Sequence, residues 1–230
     1  MRISLRTAGV LGVVLFGCSL DITRITFDLP KQTYSFDTSM WANLPPAAAG
    51  LSFPSIPCSS DAQCCTLGTA ASLDCNTTPL TCPAGTCEAD VPESAYSAIN
   101  LAMQVPQLAT FPGHSLVKVS ISSISYQVSD NTLNVDLPPI AIYLAPDGVT
   151  DVNDPSAMLF GTVPAIPAGT DPAGMVQKAP NADAVLQMYT SNVSQTFNVI
   201  AHAIVVIAAG TPVPNGHVTV TIGGAVSAQL

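Results

Sequence analysis

Apolar and polar residues alternate along most of this chain beyond its first twenty positions. In ITFDLP, Ile25, Phe27 and Leu29 share one face, with Thr26 and Asp28 on the other. Tyr34 and Phe36 resume the alternation beyond Pro30-Lys31, where a turn is expected. A period of two marks a strand with one buried side. SAINLAMQVPQL carries Ile99, Leu101, Met103 and Val105 at the same period. Ala, Leu, Met and Gln also favour helix, but the alternation runs unbroken to Pro106 and predicts a strand. In LVKVSISSISYQV the phase slips by one: Val117, Val119 and Ile121 are followed by Ile124, Tyr126 and Val128. A β-bulge at Ser122-Ser123 keeps both sets on one face. Asp130-Asn131 then reads as the turn of a hairpin, with Leu133, Val135 and Leu137 facing inward on the return strand. Pro138-Pro139 suits an edge or a crossing between sheets. Ile140, Ile142 and Leu144 continue the period.

Residues 181 to 192 form the best helix candidate. Asn181 is placed to cap it, Asp183 lies in its first turn, and Val185, Met188 and Tyr189 share a face. TFNVIAHAIVVIA is apolar on both faces, which predicts a central strand. With HVTVTIGGAVSAQL beyond the GTPVPNG turn it is expected to close the chain as a final hairpin. Roughly eight to ten short strands with one short helix predict an all-β fold, an immunoglobulin-like β-sandwich.

The first eighteen residues have a different layout. Arg2 and Arg6 precede an uncharged apolar run from Ala8 to Gly17, which is too short to span a bilayer core, since that takes about 20 residues. A basic start and a short apolar core make an export signal. Its end, Leu15-Phe16-Gly17-Cys18, resembles the lipobox of bacterial lipoproteins. The resemblance covers residues 1–18 only. It implies cleavage before Cys18, a diacylglycerol on the Cys18 sulfur and acylation of the new amino terminus. Several acyl chains, at about 0.8 kcal/mol per buried methylene, anchor far better than one. Ser19 stands where an Asp would imply inner-membrane retention, so the resemblance implies the outer membrane.

Without residues 1–17 the chain of 230 has 213 residues, enough for one large domain or two small ones. Charged residues are 9% of the chain, against about 25% in an average soluble protein. There are 15 acidic and 6 basic residues, and two of the basic ones fall in the signal, which leaves 4 against 15, or −11. Such a surface repels phosphate backbones and excludes nucleic acid as a partner. The expected partners are the membrane, through the lipid, and another envelope protein.

Seven cysteines leave one unpaired in an exported protein, and acylation of Cys18 accounts for it. Cys58, Cys64, Cys65, Cys75, Cys82 and Cys87 lie within thirty residues that carry few large apolar side chains. In an oxidising compartment this reads as a module held by three disulfides, with pairing left open among fifteen arrangements. Zinc is the rival, but no CxxC pair or nearby histidine completes a standard ligand set. The organisation expected is therefore a signal (1–17), a lipidated stretch with the first strands and a proline-rich connector (18–57), a disulfide module (58–90) and a sandwich (91–230).

Catalytic signals are sparse. His114 in FPGHSLV lacks the last glycine and the strand–turn–helix setting of a hydrolase elbow. His202 lies on a strand face and His217 opens the last strand. Trp41 is the sole tryptophan, which weakens a sugar-binding reading. IGGAV precedes no helix and so cradles no phosphate. One cluster has a physical case for a metal. Asp147, Asp151, Asn153 and Asp154 in DGVTDVNDP offer hard oxygens suited to calcium, although the same residues are what turns are made of. No other cofactor is indicated. The sequence is read as a non-catalytic binding or structural protein of the envelope. The alternatives are a hydrolase whose site forms only in the fold and a carrier with an apolar cavity.

Overall fold

The computed structural model describes residues 24–40, 51–70, 75, 78–105, 108 and 118–229. Leu15-Phe16-Gly17-Cys18, Trp41 and His114 lie outside them. Ten strands form among the described residues: β1 (Arg24–Asp37), β2 (Leu80–Thr81), β3 (Glu88–Asn100), β4 (Lys118–Ser129), β5 (Ile140–Pro146), β6 (Met158–Val163), β7 (Ala173–Met175), β8 (Gln177–Lys178), β9 (Thr196–Ile207) and β10 (His217–Gln229). Three α-helices accompany them among the described residues, α1 (Asp61–Ala70), α2 (Leu101–Gln104) and α3 (Ala182–Thr190).

The strands make two antiparallel sheets, one of order β1-β10-β4-β7 and one of order β2-β3-β9-β5-β6-β8. The alternation expected from the sequence is the reason: each strand turns one face inward, and the two inner faces share one core. Phe27, Tyr34 and Phe36 of β1 meet Phe197, Val199 and Val205 of β9 there. Tyr34 Oη donates to the Val199 carbonyl at 3.3 Å across the gap.

The connectivity is nested. β1 pairs with β10, β3 with β9, β4 with β7 and β5 with β6, and successive pairs fall in alternate sheets. This is one long hairpin rolled up, the jelly-roll form of the sandwich. It corrects two expectations of local hairpins. After Asp130-Asn131 the chain does not return along β4. Leu133 and Leu137 are buried, but Thr132 and Asn134 bond to His217 and Asn215, and Leu137 bridges to Ile166. Pro138-Pro139 is the crossing between sheets. β9 and β10 likewise belong to different sheets, although β9 is central as expected.

Other local readings divide. The bulge at Ser122-Ser123 is present: the β4–β10 register skips between Val226↔Ile121 and Ala225↔Ser123, and Val119, Ile121, Ile124, Tyr126 and Val128 are all buried. Pro30-Lys31 is a bulge rather than a turn, because both halves of β1 pair with β10. The strand expected beyond Ile99 ends at Asn100. Its side-chain oxygen accepts from Met103 N at 3.1 Å and starts the single turn α2, which leaves Met103 82% exposed. In α3 the buried face is Val185, Leu186 and Tyr189, Met188 points outward, and Asn181 makes no side-chain cap.

Candidate functional site

The six later cysteines form three bridges, Cys58–Cys82, Cys64–Cys87 and Cys65–Cys75. Adjacent Cys64 and Cys65 reach different partners. The Cys58, Cys64 and Cys87 sulfurs lie close together because two bridges pack side by side. Asp61 in the first turn of α1 accepts from Cys82 N at 2.7 Å, which ties helix and bridge together. Cys64 and Cys87 are buried in the common core, and β2 pairs with β3. The module thereby caps one end of the six-stranded sheet. β3 starts at Glu88, inside the stretch assigned to the module, so module and sandwich share a strand.

The oxygens of the 147–154 loop do not converge on a cation site. Asp151 Oδ1 accepts from Asn153 N and Nδ2 at 2.9 and 3.1 Å. Asp154 Oδ1 accepts from Ser156 N and Oγ, and these bonds hold its carboxyl below the usual range. Asp147, Asp151 and Asp154 do not meet as a ligand group, the one such group among the described residues being cysteine. The loop uses its carboxylates to close its own turns.

The two described histidines have different partners. His217 Nδ1 lies 3.1 Å from Thr132 Oγ1. His202 Nδ1 lies 2.8 Å from Ser94 Oγ, a cross-strand pair of β3 and β9. Burial lowers the His202 pKa, while the Glu93 carbonyl and the Asp151 charge pull it upward. A serine, a histidine and an aspartate thus come into range on the outside of the sheet. None of the three lines the interior cavity or the surface groove of this fold.

Between the sheets lies an apolar cavity of about 40 Å³, bounded by residues such as Leu29, Ile142, Phe197 and Ile222. About 10–15 Å³ of such space holds one water, so this cavity has room for a few waters and not for an acyl chain.

The outer faces of the two sheets differ in chemistry. On the four-stranded sheet, rows such as Thr33–Thr221–Gln127 and Ser35–Thr219–Ser129 present hydroxyls and amides, with Thr33 and Thr221 3.1 Å apart. On the six-stranded sheet, Tyr96, Ile200 and Tyr143 form one row, with Leu159 next on β6. Ile204 and Val206 follow along β9. Tyr96 is 61% exposed, Val206 53% and Ile204 48%. Ile204 and Val206 run into a groove of about 550 Å³. It is lined by Ile204 to Ile207 at the end of β9, by the segment from Asn134 to Pro138, and by Pro212 and Pro214. Sequence reasoning missed this site. Its one signal is that β9 is apolar on both faces, a pattern that a central position in the sheet explains equally well.

No protein-family model matches the chain, and no curated protein matches it. Among solved structures it is similar to turnip yellow mosaic virus at 12% identity, with 99% of this chain and 90% of that chain covered and a TM-score of 0.29. It is similar to Desmodium yellow mottle tymovirus at 12% identity, with 100% and 92% covered and a TM-score of 0.24. Likeness this distant carries no functional argument.

Proposed function

We propose that this chain is a lipid-anchored protein of the cell envelope whose β-sandwich works by binding another envelope component rather than by catalysis. The supporting observation is the contrast between the two outer faces. One is a solvated Ser/Thr surface, and the other presents Ile204 and Val206 at an open groove, with Tyr96 on the far side of the Ser94–His202 pair. Exposed apolar side chains gathered at a groove rimmed by polar residues mark interaction sites. Leu15-Phe16-Gly17-Cys18 supports the anchor by its resemblance to a lipobox. Expressed in a bacterial host, the native chain is expected in the membrane fraction and labelled by fatty acid. Cys18→Ser is expected to lose the label and to be released or misprocessed. Unchanged fractionation and labelling would remove the anchor from the proposal.

A second reading, hydrolysis, rests on Ser94 and His202 at 2.8 Å with Asp151 in electrostatic range. It calls for an activated hydroxyl. A fluorophosphonate probe that labels the native chain and not Ser94→Ala would establish it, and equal absence of label from both would end it.

A further inference from the structure

Sheet edges in this molecule are closed in identifiable ways. On β4, Val119 N donates to Gln187 Oε1 at 2.6 Å and Ile121 N to Asp183 Oδ1 at 2.9 Å, so side chains of α3 take the place of a missing strand. On β1, Pro30 and Lys31 form a bulge in the middle of the edge, which discourages a second chain from pairing there.

The end of β9 is different. Its ladder with β3 runs to Ile207, whereas its ladder with β5 stops at His202. From Ala203 to Ile207 the second side of β9 has no strand partner among the described residues, and this side opens on the groove. The neighbouring crossing segment does not fill the gap. Leu137 exchanges both backbone bonds with Ile166, and Asn134 N donates to the Asn215 carbonyl. The Pro138, Pro212 and Pro214 side chains wall the groove without offering amide donors.

The charge around the groove has one sign. Asp136 lines it, and Asp90 pairs with Val206 across β3. The three lysines, Lys31, Lys118 and Lys178, are carried by β1, β4 and β8, and none lines the groove.

We infer that the groove accepts an extended, cationic segment of a partner protein, which adds as a strand to β9 alongside Ala203–Ile207. Main-chain bonds to β9 supply the affinity in this mode of recognition, and alternate side chains supply the specificity. The segment's apolar side chains lie over Ile204 and Val206, and its Lys or Arg side chains face Asp136. At about 3.3 Å per residue, the open stretch of β9 matches roughly 16 Å of strand. The inference rests on the binding reading above, but not on the lipid.

The test uses the full chain as the host processes it, native and Cys18→Ser, titrated with synthetic peptides. An alternating Lys-Val peptide is expected to bind both alike. Its affinity should fall with added salt, and about tenfold in Asp136→Asn, the scale of a lost charge contact. That variant keeps the amide oxygen that Ala168 N needs as its acceptor, so the loop stays bonded. Ile204→Asp, with its fold checked by circular dichroism, should abolish binding. A Glu-Val peptide and a Lys-Val peptide N-methylated on alternate amides should not bind. Equal binding of the N-methylated or the Glu-Val peptide would overturn the inference, as would no binding of the Lys-Val peptide. A self-association that Ile204→Asp removes would also overturn it, by making the occupant a second copy. A Cys18→Ser chain that binds peptide normally but stays in the membrane would count against the lipid anchor alone.

Discussion

At the scale of single residues, the informative case is a carboxyl on the wrong side of a strand. Glu93 lies on β3 between Val91 and Ala95, on the face that turns toward the core. Burial pushes its pKa up to about 7 from 4.5. The folded chain therefore holds this proton more tightly than the unfolded chain does. Stability is unaffected below about pH 4.5, where both forms are protonated. It falls as pH rises toward 7, and the loss is complete above that. Glu93→Gln is expected to melt at a higher temperature than the native chain at pH 8 and at the same temperature near pH 4. Parallel melting curves across that range check it, and a constant difference would show that charge is not the cause. The alternation legible in the sequence starts at Ile99, so it leaves Glu93 and its neighbours on β3 unmarked. The bulge at Ser122-Ser123 was legible for the opposite reason: one extra residue between two strong apolar triplets shifts the phase by one, and the shift is visible in the residues themselves.

At the scale of elements, α3 shows why a correct helix is only half a reading. The pattern located it, yet its polar face carries the structural role. Asp183 and Gln187, one turn apart, receive two β4 amides that no strand reaches. Lys178 adds an ion pair to Asp183 at 3.7 Å and donates to the Ile121 carbonyl. Removing an acceptor leaves a part-buried donor unsatisfied, which costs about 1–3 kcal/mol. Asp183→Ala and Gln187→Ala should each lower the unfolding free energy by about that much in urea titrations. An alanine at Met188, which is exposed, should change little by comparison. The two missed hairpins have one cause. Strand, turn and strand in sequence look alike whether the second strand returns beside the first or crosses to the facing sheet. Only Pro138-Pro139 carried the difference. The groove was illegible for a related reason, since it exists where one ladder outlasts another, and register is not written in a single strand.

At the scale of the whole molecule, the expected all-β sandwich and the three bridges inside 58–87 are both present. The roles of the parts follow from nesting. β10 lies between β1 and β4, so it joins the beginning of the fold to its middle. Deleting residues 217–230 takes from β1 its strand partner and from β4 one of its two. The truncated chain is expected to lose its cooperative thermal transition while the bridges within 58–87 still form. Circular dichroism melts and alkylation under denaturing, non-reducing conditions would check the two halves of this expectation.

The pairing of β1 with β10 also sets an order of events for a chain made from its amino terminus. β1 ends at Asp37 and its partner begins at His217, 180 residues later. At the usual pace of synthesis, about 5–20 residues per second, the first strand waits roughly 10–40 s for its neighbour. Throughout that interval a fourteen-residue strand is exposed along both sides to every other nascent chain. Pro30 and Lys31 interrupt it at its midpoint, leaving two short halves that are poor templates for a stranger. The same irregularity that blunts the edge of the finished sheet thus acts earliest as a guard against aggregation, before there is an edge to blunt.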